Sequence, residues 1–389
     1  MTKLNRALMA TSAIVFASGL AFPTVAQDPS AAPGVVKSST KMKLLLYGQI
    51  TRGFGVINDG ETSTFKQFDN GNTSTRMGID GQGKITKDVS LRTRVEYEIR
   101  SGSANQFNGQ GGETGLVIRH LDAILSHQRL GAVWIGRGDT AGNSTSEMNL
   151  LPGGEAGRLG GSTHDLITNA VILDQSSGTV EPAEVGTLSR FFNSFDGLSR
   201  RQRIRYDTPT IAGFKLGASF IDQQSWDVAG HFGGQLGGVK IAAGIAFSHA
   251  AGVLGRTAVS QDFNQLSGSV SVLTPFGLGA TFAGGKQWID YNSGVPDTVK
   301  RAPYNIQPAI FYTGKWTELG PTGIEYAYQF SNEISAKNDE GQGHSVMLTQ
   351  VLANTGTDTF VTFRYFDVDR NGANPEDLWF MGAGFRARF

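Results

Sequence analysis

From Lys43 to Phe389 the chain is organised by alternation of apolar and polar positions. In VSLRTRVEYEIRS, residues 89 to 101, Val89, Leu91, Thr93, Val95, Tyr97 and Ile99 share one face. Arg92, Arg94, Glu96, Glu98 and Arg100 share the other. A period of two sustained this long predicts a strand whose two sides meet different surroundings. GVKIAAGIAFSHA aligns Val239, Ile241, Ala243, Ile245 and Phe247, and TGIEYAYQFSN sets Ile324, Tyr326, Tyr328 and Phe330 against Glu325 and Gln329. The final DLWFMGAGFRARF places Trp379, Met381, Ala383, Phe385, Ala387 and Phe389 opposite Arg386 and Arg388. About fourteen to sixteen such segments, of roughly ten residues each, are separated by Gly-, Asn- and Asp-rich turns. Strands of ordinary sandwiches average about five to six residues, whereas ~9–11 tilted residues cross a bilayer. Tyr47, Tyr97, Trp288, Tyr304 and Trp379, near segment ends, suit the aromatic girdles of membrane barrels. A propeller would need a repeat of about 40–50 residues, which the chain lacks.

Energetics decides which face meets lipid. An Arg or Lys on the lipid side costs about 2–4 kcal/mol at the midplane. Slipping Val89–Ser101 by one position would bury three arginines and two glutamates in lipid, a penalty on the order of 10 kcal/mol. The charged row therefore faces inward, and a row this polar requires water around it. The expected fold is all-β: a transmembrane antiparallel β-barrel wide enough to hold a channel.

The N-terminus fits that destination. Lys3 and Arg6 precede an apolar run and a small-x-small site, Thr24-Val25-Ala26, so residues 1–26 read as a secretory signal peptide. Residues 27–42 read as a flexible lead-in of small and polar residues, and 43–389 as the barrel. No later stretch approaches the ~18–20 apolar residues of a membrane helix. With 34 basic and 34 acidic residues there is no global basic field, which argues against nucleic acid as a partner. No cysteine is present, so no disulfide staples the fold.

Several stretches together resemble the Gram-negative general diffusion porins. LLLYGQ (44–49) and TSTRMGIDG (73–81) are similar to that family's first two strands. IRHLDAILSHQRLGAVWIGRGDT (118–140) resembles its strand–turn–strand before the constriction loop, and RIRYDTPTIAGFKLGASF (203–220) the pair that follows. FMGAGFRARF matches its closing strand. The resemblance implies sixteen strands, a homotrimer in the outer membrane, and passage of small hydrophilic solutes and ions. It also implies an inward-folded constriction loop, here about 139–200, where the chain has no strand pattern as long as elsewhere.

By position, Arg76, Arg119 and Arg201 match the family's wall arginines, and inward parity adds Arg92, Arg94 and Arg203. On the loop, SEMNLLPGGEAG (146–157) resembles the acidic stretch facing them. Glu147 sits where one acid is expected; the second position is Gly153, so Glu155 is the candidate substitute. Asp165, Asp174, Glu181 and Glu184 could serve the constriction or the outer rim. The terminal Phe389 resembles the signal read by the barrel-assembly machinery.

Other chemistries fit less well. The six histidines lie mostly on separate segments, and no GxSxG, HExxH or Walker-type motif occurs, which argues against an enzyme. His120 and His127 would face opposite sides of one strand, poor geometry for a metal. No cofactor is implied. The alternative is a substrate-specific channel, selective for sugars or anions. Its aromatic lining would have to come from few candidates, such as Phe311 and Phe380.

Overall fold

The computed structural model describes residues 35–37, 41–70, 73–101, 115–154, 166–167, 170–174, 183–222, 224–252, 254–255 and 257–389. The main sheet has eighteen strand segments. Ser63–Phe68 and Arg76–Lys84 are halves of one stave, and Val35–Lys37 is a short addition at one rim, which leaves a closed antiparallel barrel of sixteen staves. The first staves are β1 (Lys43–Asn58), β2 (the two halves just named), β3 (Val89–Arg100), β4 (Gly115–His127) and β5 (Gly131–Asp139). After the long loop come β6 (Arg200–Asp207), β7 (Phe214–Ile221), β8 (Trp226–Leu236), β9 (Val239–Ala250) and β10 (Ser260–Leu273). The remainder are β11 (Leu278–Tyr291), β12 (Tyr304–Thr317), β13 (Gly320–Asn332), β14 (Glu340–Leu352), β15 (Thr357–Asp369) and β16 (Leu378–Arg388). Each pairs with the next, and β16 pairs with β1.

The two sides of the wall follow the alternation. Ile50, Phe54, Ile79, Leu121, Ile135, Phe282, Val361 and Met381 stand exposed on the outer face. Thr51, Ser219, Asp227, Ser271, Gln329 and Thr362 are buried on the inner one. Each stave can show lipid a full apolar row because its polar neighbours have partners inside.

Three local features depart from the sequence reading, and the closing seam has a register of its own. Tyr47 is not a girdle residue: its side chain points inward and its hydroxyl donates to Glu96 Oε2 at 2.9 Å. The closing strand lies along the second part of β1 rather than its start. Its residues Trp379–Arg388 pair with Asn58–Gln49, while Lys43–Gln49 pair with β2. Tilted strands close only with such a stagger. The lead-in contains a strand, Val35–Lys37, paired with Lys43–Leu45, the stretch that β16 leaves uncovered. The long loop holds a hairpin of its own, Val171–Asp174 with Ala183–Thr187.

Inward aromatics are also more numerous than the alternation suggested. Phe68, Phe311, Phe360, Phe366 and Phe380 are almost wholly buried and belong to one cluster with Leu151, Leu188, Phe191 and Phe192 of the loop. The barrel thus has an apolar core on part of its inner wall, and the loop is what covers it.

Candidate functional site: the lumen and its inner loop

Asp139 ends β5 and Arg200 begins β6, and these two residues are paired directly. The long loop therefore leaves and rejoins the wall at one point. Its outgoing limb runs along the inner wall and is stitched to it. Ala141 N–H donates to Ser219 Oγ (2.7 Å) and Asp227 Oδ1 (3.1 Å), and Gly142 N–H donates to Asp227 Oδ2 (3.1 Å). Ser269 Oγ donates to Thr145 O at 2.6 Å and accepts Met148 N–H at 2.9 Å. Leu150 N–H donates to Ser271 Oγ at 3.1 Å, Asn149 Nδ2 to Glu325 Oε2 at 2.7 Å, and Thr349 Oγ1 to Pro152 O at 2.9 Å. Buried backbone without a ladder must find other partners, and small polar side chains on the inner face provide them.

The return limb is held in the same manner. Asn305 Nδ2 donates to Asn193 O (2.6 Å) and Gln265 Nε2 to Phe195 O (2.9 Å). Ser144 N–H donates to Asp196 Oδ1 and ties the two limbs together. Between the limbs, the hairpin docks on the β15–β16 connection: Glu376 N–H donates to Leu173 O, and Asn374 N–H to Asp174 Oδ1. Phe192 meets Phe366 edge-on, with centroids 5.4 Å apart, and the Arg370 guanidinium lies 4.6 Å over the Phe191 ring. The loop is thus stitched along β7 to β14 and reaches on to β15 and the β15–β16 connection.

A basic cluster occupies the other side. Arg119 Nε donates to Glu96 Oε1 at 2.8 Å and Nη1 to Glu98 Oε2 at 3.1 Å. Arg76 reaches the same Glu96 oxygen only at 3.9 Å and donates to Gln49 Oε1 at 3.3 Å. Arg119, Arg200 and Arg386 all lie within electrostatic reach of Arg76. Arg200 pairs with Asp139 at 3.0 Å, and Arg386 donates through Nε (3.1 Å) and Nη2 (2.6 Å) to Asp358 Oδ2. The ladder slips between Glu96 and Tyr97, so Arg119 is an extra residue in β4. That bulge turns Arg119 and His120 inward together.

The sequence candidates divide accordingly. Arg76 and Arg119 are brought together in the cluster. Arg92, Arg94 and Arg203 face inward but are held within the wall. Arg92 pairs with Asp80; Arg94 and Arg203 share Asp122, at 3.1 and 2.7 Å. Arg94, Arg203 and Arg205 also lie over the Trp134 ring at 5.8, 5.7 and 5.1 Å. Arg201 donates Nε to Leu198 O and lies beside Arg137, so Arg200 takes the place in the cluster. Ser199, at φ 61°, supplies the twist that exchanges these neighbours.

Glu147 is half-buried on the outgoing limb. Glu155, Asp165 and Glu181 lie outside the described residues, as do the signal-peptide residues 1–26; Glu184 belongs to the short strand Ala183–Thr187. Asp196, which the sequence reading did not single out, is the loop acid within electrostatic reach of Arg200. An acid four residues before the returning strand, beside glycine, was the available signal.

Comparison with known proteins agrees with this architecture. A family model described as Gram-negative porin matches residues 10–371. No curated protein matches the sequence. Among solved structures, the outer membrane channel DcaP of Acinetobacter baumannii is 12% identical with a TM-score of 0.59, covering 92% of this chain and 100% of its own. The anion-selective porin of Comamonas acidovorans is 15% identical at a TM-score of 0.55, covering 90% and 100%. OmpT of Vibrio cholerae, in its trimer form, is 11% identical at 0.56, with the same coverages. With a closed barrel, an inner loop and a family match over nearly its whole length, this chain belongs to the Gram-negative porins and is an outer-membrane channel protein.

Proposed function

We propose that the protein is a water-filled channel for passive diffusion of ions and small hydrophilic solutes, and that it is not an enzyme. The observation carrying this reading is the division of the lumen. A stitched inner loop bearing Glu147 and Asp196 shares the barrel interior with the wall arginines Arg76, Arg119, Arg200 and Arg386. Opposed charge across a narrow aqueous gap with low-dielectric walls creates a transverse field, which admits polar solutes and disfavours apolar ones. The inward phenylalanines are sealed beneath the loop, so they offer no aromatic track for a sugar-specific channel.

Purified protein in a planar bilayer should give ohmic conductance steps; absence of conductance would overturn the proposal. Arg76→Ala combined with Arg119→Ala should move the reversal potential in a salt gradient toward cation preference. An unchanged potential would reject the constriction assignment.

We also propose a homotrimer. Arg52 lies on the outer face in the middle of β1, between exposed Ile50 and Phe54, with its Nη1 donating to Ser101 O at 2.6 Å. Arg137, on the outer side of β5, follows exposed Ile135 and donates to Ile118 O. Each would cost about 2–4 kcal/mol against lipid at the midplane, which favours covering this arc with further copies. The trimer form of OmpT is consistent with that arrangement.

For the assembly machinery, Phe389 is the expected signal. It exchanges backbone hydrogen bonds with Gly48 at 3.0 and 3.1 Å, and its ring packs where a side chain on Gly48 would stand. Deleting Phe389 should lower the amount of heat-modifiable barrel in the outer membrane, while pores that do form keep normal conductance. Wild-type levels of the truncated protein would refute the role.

A further inference from the structure

At the mouth remote from the long loop, the inner row of the wall ends in positive charge. The loop joins β5 to β6, so odd staves start and even staves finish at that opposite mouth. Lys43 opens β1, Lys84 closes β2, and Lys215 and Lys240 are the second residues of β7 and β9. Lys315 stands two residues before the end of β12, and Arg388 closes β16. By alternation each falls on the inner row of its stave. Lys43 is in phase with the inward Tyr47, Lys84 with Asp80, and Lys215 with Ser219. Lys240 is in phase with Ala246, Lys315 with Phe311, and Arg388 with Arg386. The outer row at this level is apolar: Phe214 beside Lys215 is exposed, and Trp316 beside Lys315 stacks on Tyr312. Lys215 is half-buried, and the other five cations are exposed.

Negative charge at this mouth is scarcer and lies deeper. Among the described residues, the last turns of the inner row hold Asp207 and Asp358, both almost wholly buried. Each is shared by two cations. Asp207 pairs with Arg205 at 2.7 Å and Lys215 at 3.7 Å, and Asp358 with Arg386 at 2.6 Å and Arg388 at 3.1 Å. In the connecting turns, Lys87 and Arg129 offset Asp88 and Glu318, and the C-terminal carboxylate adds one negative charge. Like charges gathered on one inner rim repel, so the arrangement costs stability. Moved one position along their staves, the same side chains would reach the membrane surface instead.

We infer that these six cations form a ring that collects anions at one mouth, and that the channel therefore prefers small anionic solutes. The inference rests on the proposed diffusion channel, and it adds a second charged zone to the central arginine cluster. The field of the ring raises the local concentration of anions, and low-dielectric walls focus it. Because the ring is exposed to solvent, salt screens it: the Debye length falls from about 10 Å at 0.1 M to about 3 Å at 1 M.

The test compares wild type with Lys84→Gln, Lys240→Gln and Lys315→Gln combined, as purified full-length protein in planar bilayers. Reversal potentials are read in potassium chloride gradients centred near about 0.1 M and about 1 M. Wild type should favour chloride at the lower salt. The triple variant should lower the chloride-to-potassium permeability ratio there by roughly threefold, with a smaller change at the higher salt. A wild-type ratio at or below one, or a ratio unmoved in the variant, overturns the inference and leaves the channel reading intact. A shift of equal size at both salts also overturns it, since an exposed ring must be screened. Absence of any conductance removes the channel reading and this inference with it. Should the triple variant not assemble, Lys240→Gln and Lys315→Gln singly must each lower the ratio by a smaller factor, and the ring fails if neither does.

Discussion

Replacing Asp122 by alanine is expected to destabilise the barrel more than any change at the lumen surface. The Asp122 carboxylate is enclosed in the wall and accepts from Arg94 at 3.1 and 3.3 Å and from Arg203 at 2.7 Å. Its removal leaves Arg94 facing Arg203 above Trp134 with no carboxylate between them. Breaking a buried pair by deleting one member costs about 3–5 kcal/mol, because the remaining charge stays desolvated. Here two charges would be stranded, and Arg203 keeps only its bonds to the carbonyls of Asp139 and Gly136. Urea titration of the folded barrel in detergent should show a lower midpoint with an unchanged slope. Asp122→Asn, which keeps the shape and one acceptor oxygen, should fall between wild type and alanine. A midpoint equal to wild type would mean that water already solvates this group and that the wall does not depend on it.

The second large effect is expected at the loop anchors, and there the barrel should survive while the channel changes. Asp227 and Ser269 together hold four backbone groups of the outgoing limb: the N–H of Ala141, Gly142 and Met148, and the carbonyl of Thr145. In Asp227→Ala with Ser269→Ala the N–H of Gly142 and Met148 and the carbonyl of Thr145 lose their partners, while Ala141 N–H keeps Ser219, at about 1–3 kcal/mol for each group that stays unsatisfied. The lumen is wet, so the cheaper outcome is detachment of the limb, with water taking over the bonds. Single-channel conductance should then rise, on the order of twofold, with a noisier open state, and larger neutral polymers should enter. Conductance and size cut-off at wild-type values would show that the remaining anchors, at Ser219, Ser271, Glu325 and Thr349, hold the limb unaided.

Period-two alternation made the staves and their sidedness legible, because a one-residue slip in a segment such as Val89–Arg100 would move charges into lipid. Alternation sets no such constraint wherever a position is not bound by lipid. The break in β2 escaped it because STFKQFDNGNTST carries polar residues on both faces, so nothing in the pattern marks where the stave is interrupted. Arg119 was named through the resemblance alone, since unbroken alternation would set it outward with Leu121 and Leu125, and the bulge that turns it inward beside His120 left no mark in the pattern. The choice of Arg200 over Arg201 was hidden for a related reason: parity holds inside a stave and lapses at its end, where Ser199 turns the chain. The loop's course was least legible. Its anchors are single serines, threonines and acids spread over β7 to β14, and no local pattern links Ala141 to Asp227.

The staggered seam between β1 and β16 also bears on how the molecule comes into being. Its partners, Gln49 with Arg388 through Asn58 with Trp379, come from the two ends of the barrel sequence. Every other neighbouring pair of staves is joined by a single connection and can form locally once made. The seam alone joins the first stave to the last, and closing so long a loop costs entropy before any contact rewards it. Until then both edges are unpaired and open to wrong partners. The short strand Val35–Lys37, lying on the one part of β1 that the seam never reaches, occupies part of that edge without obstructing closure.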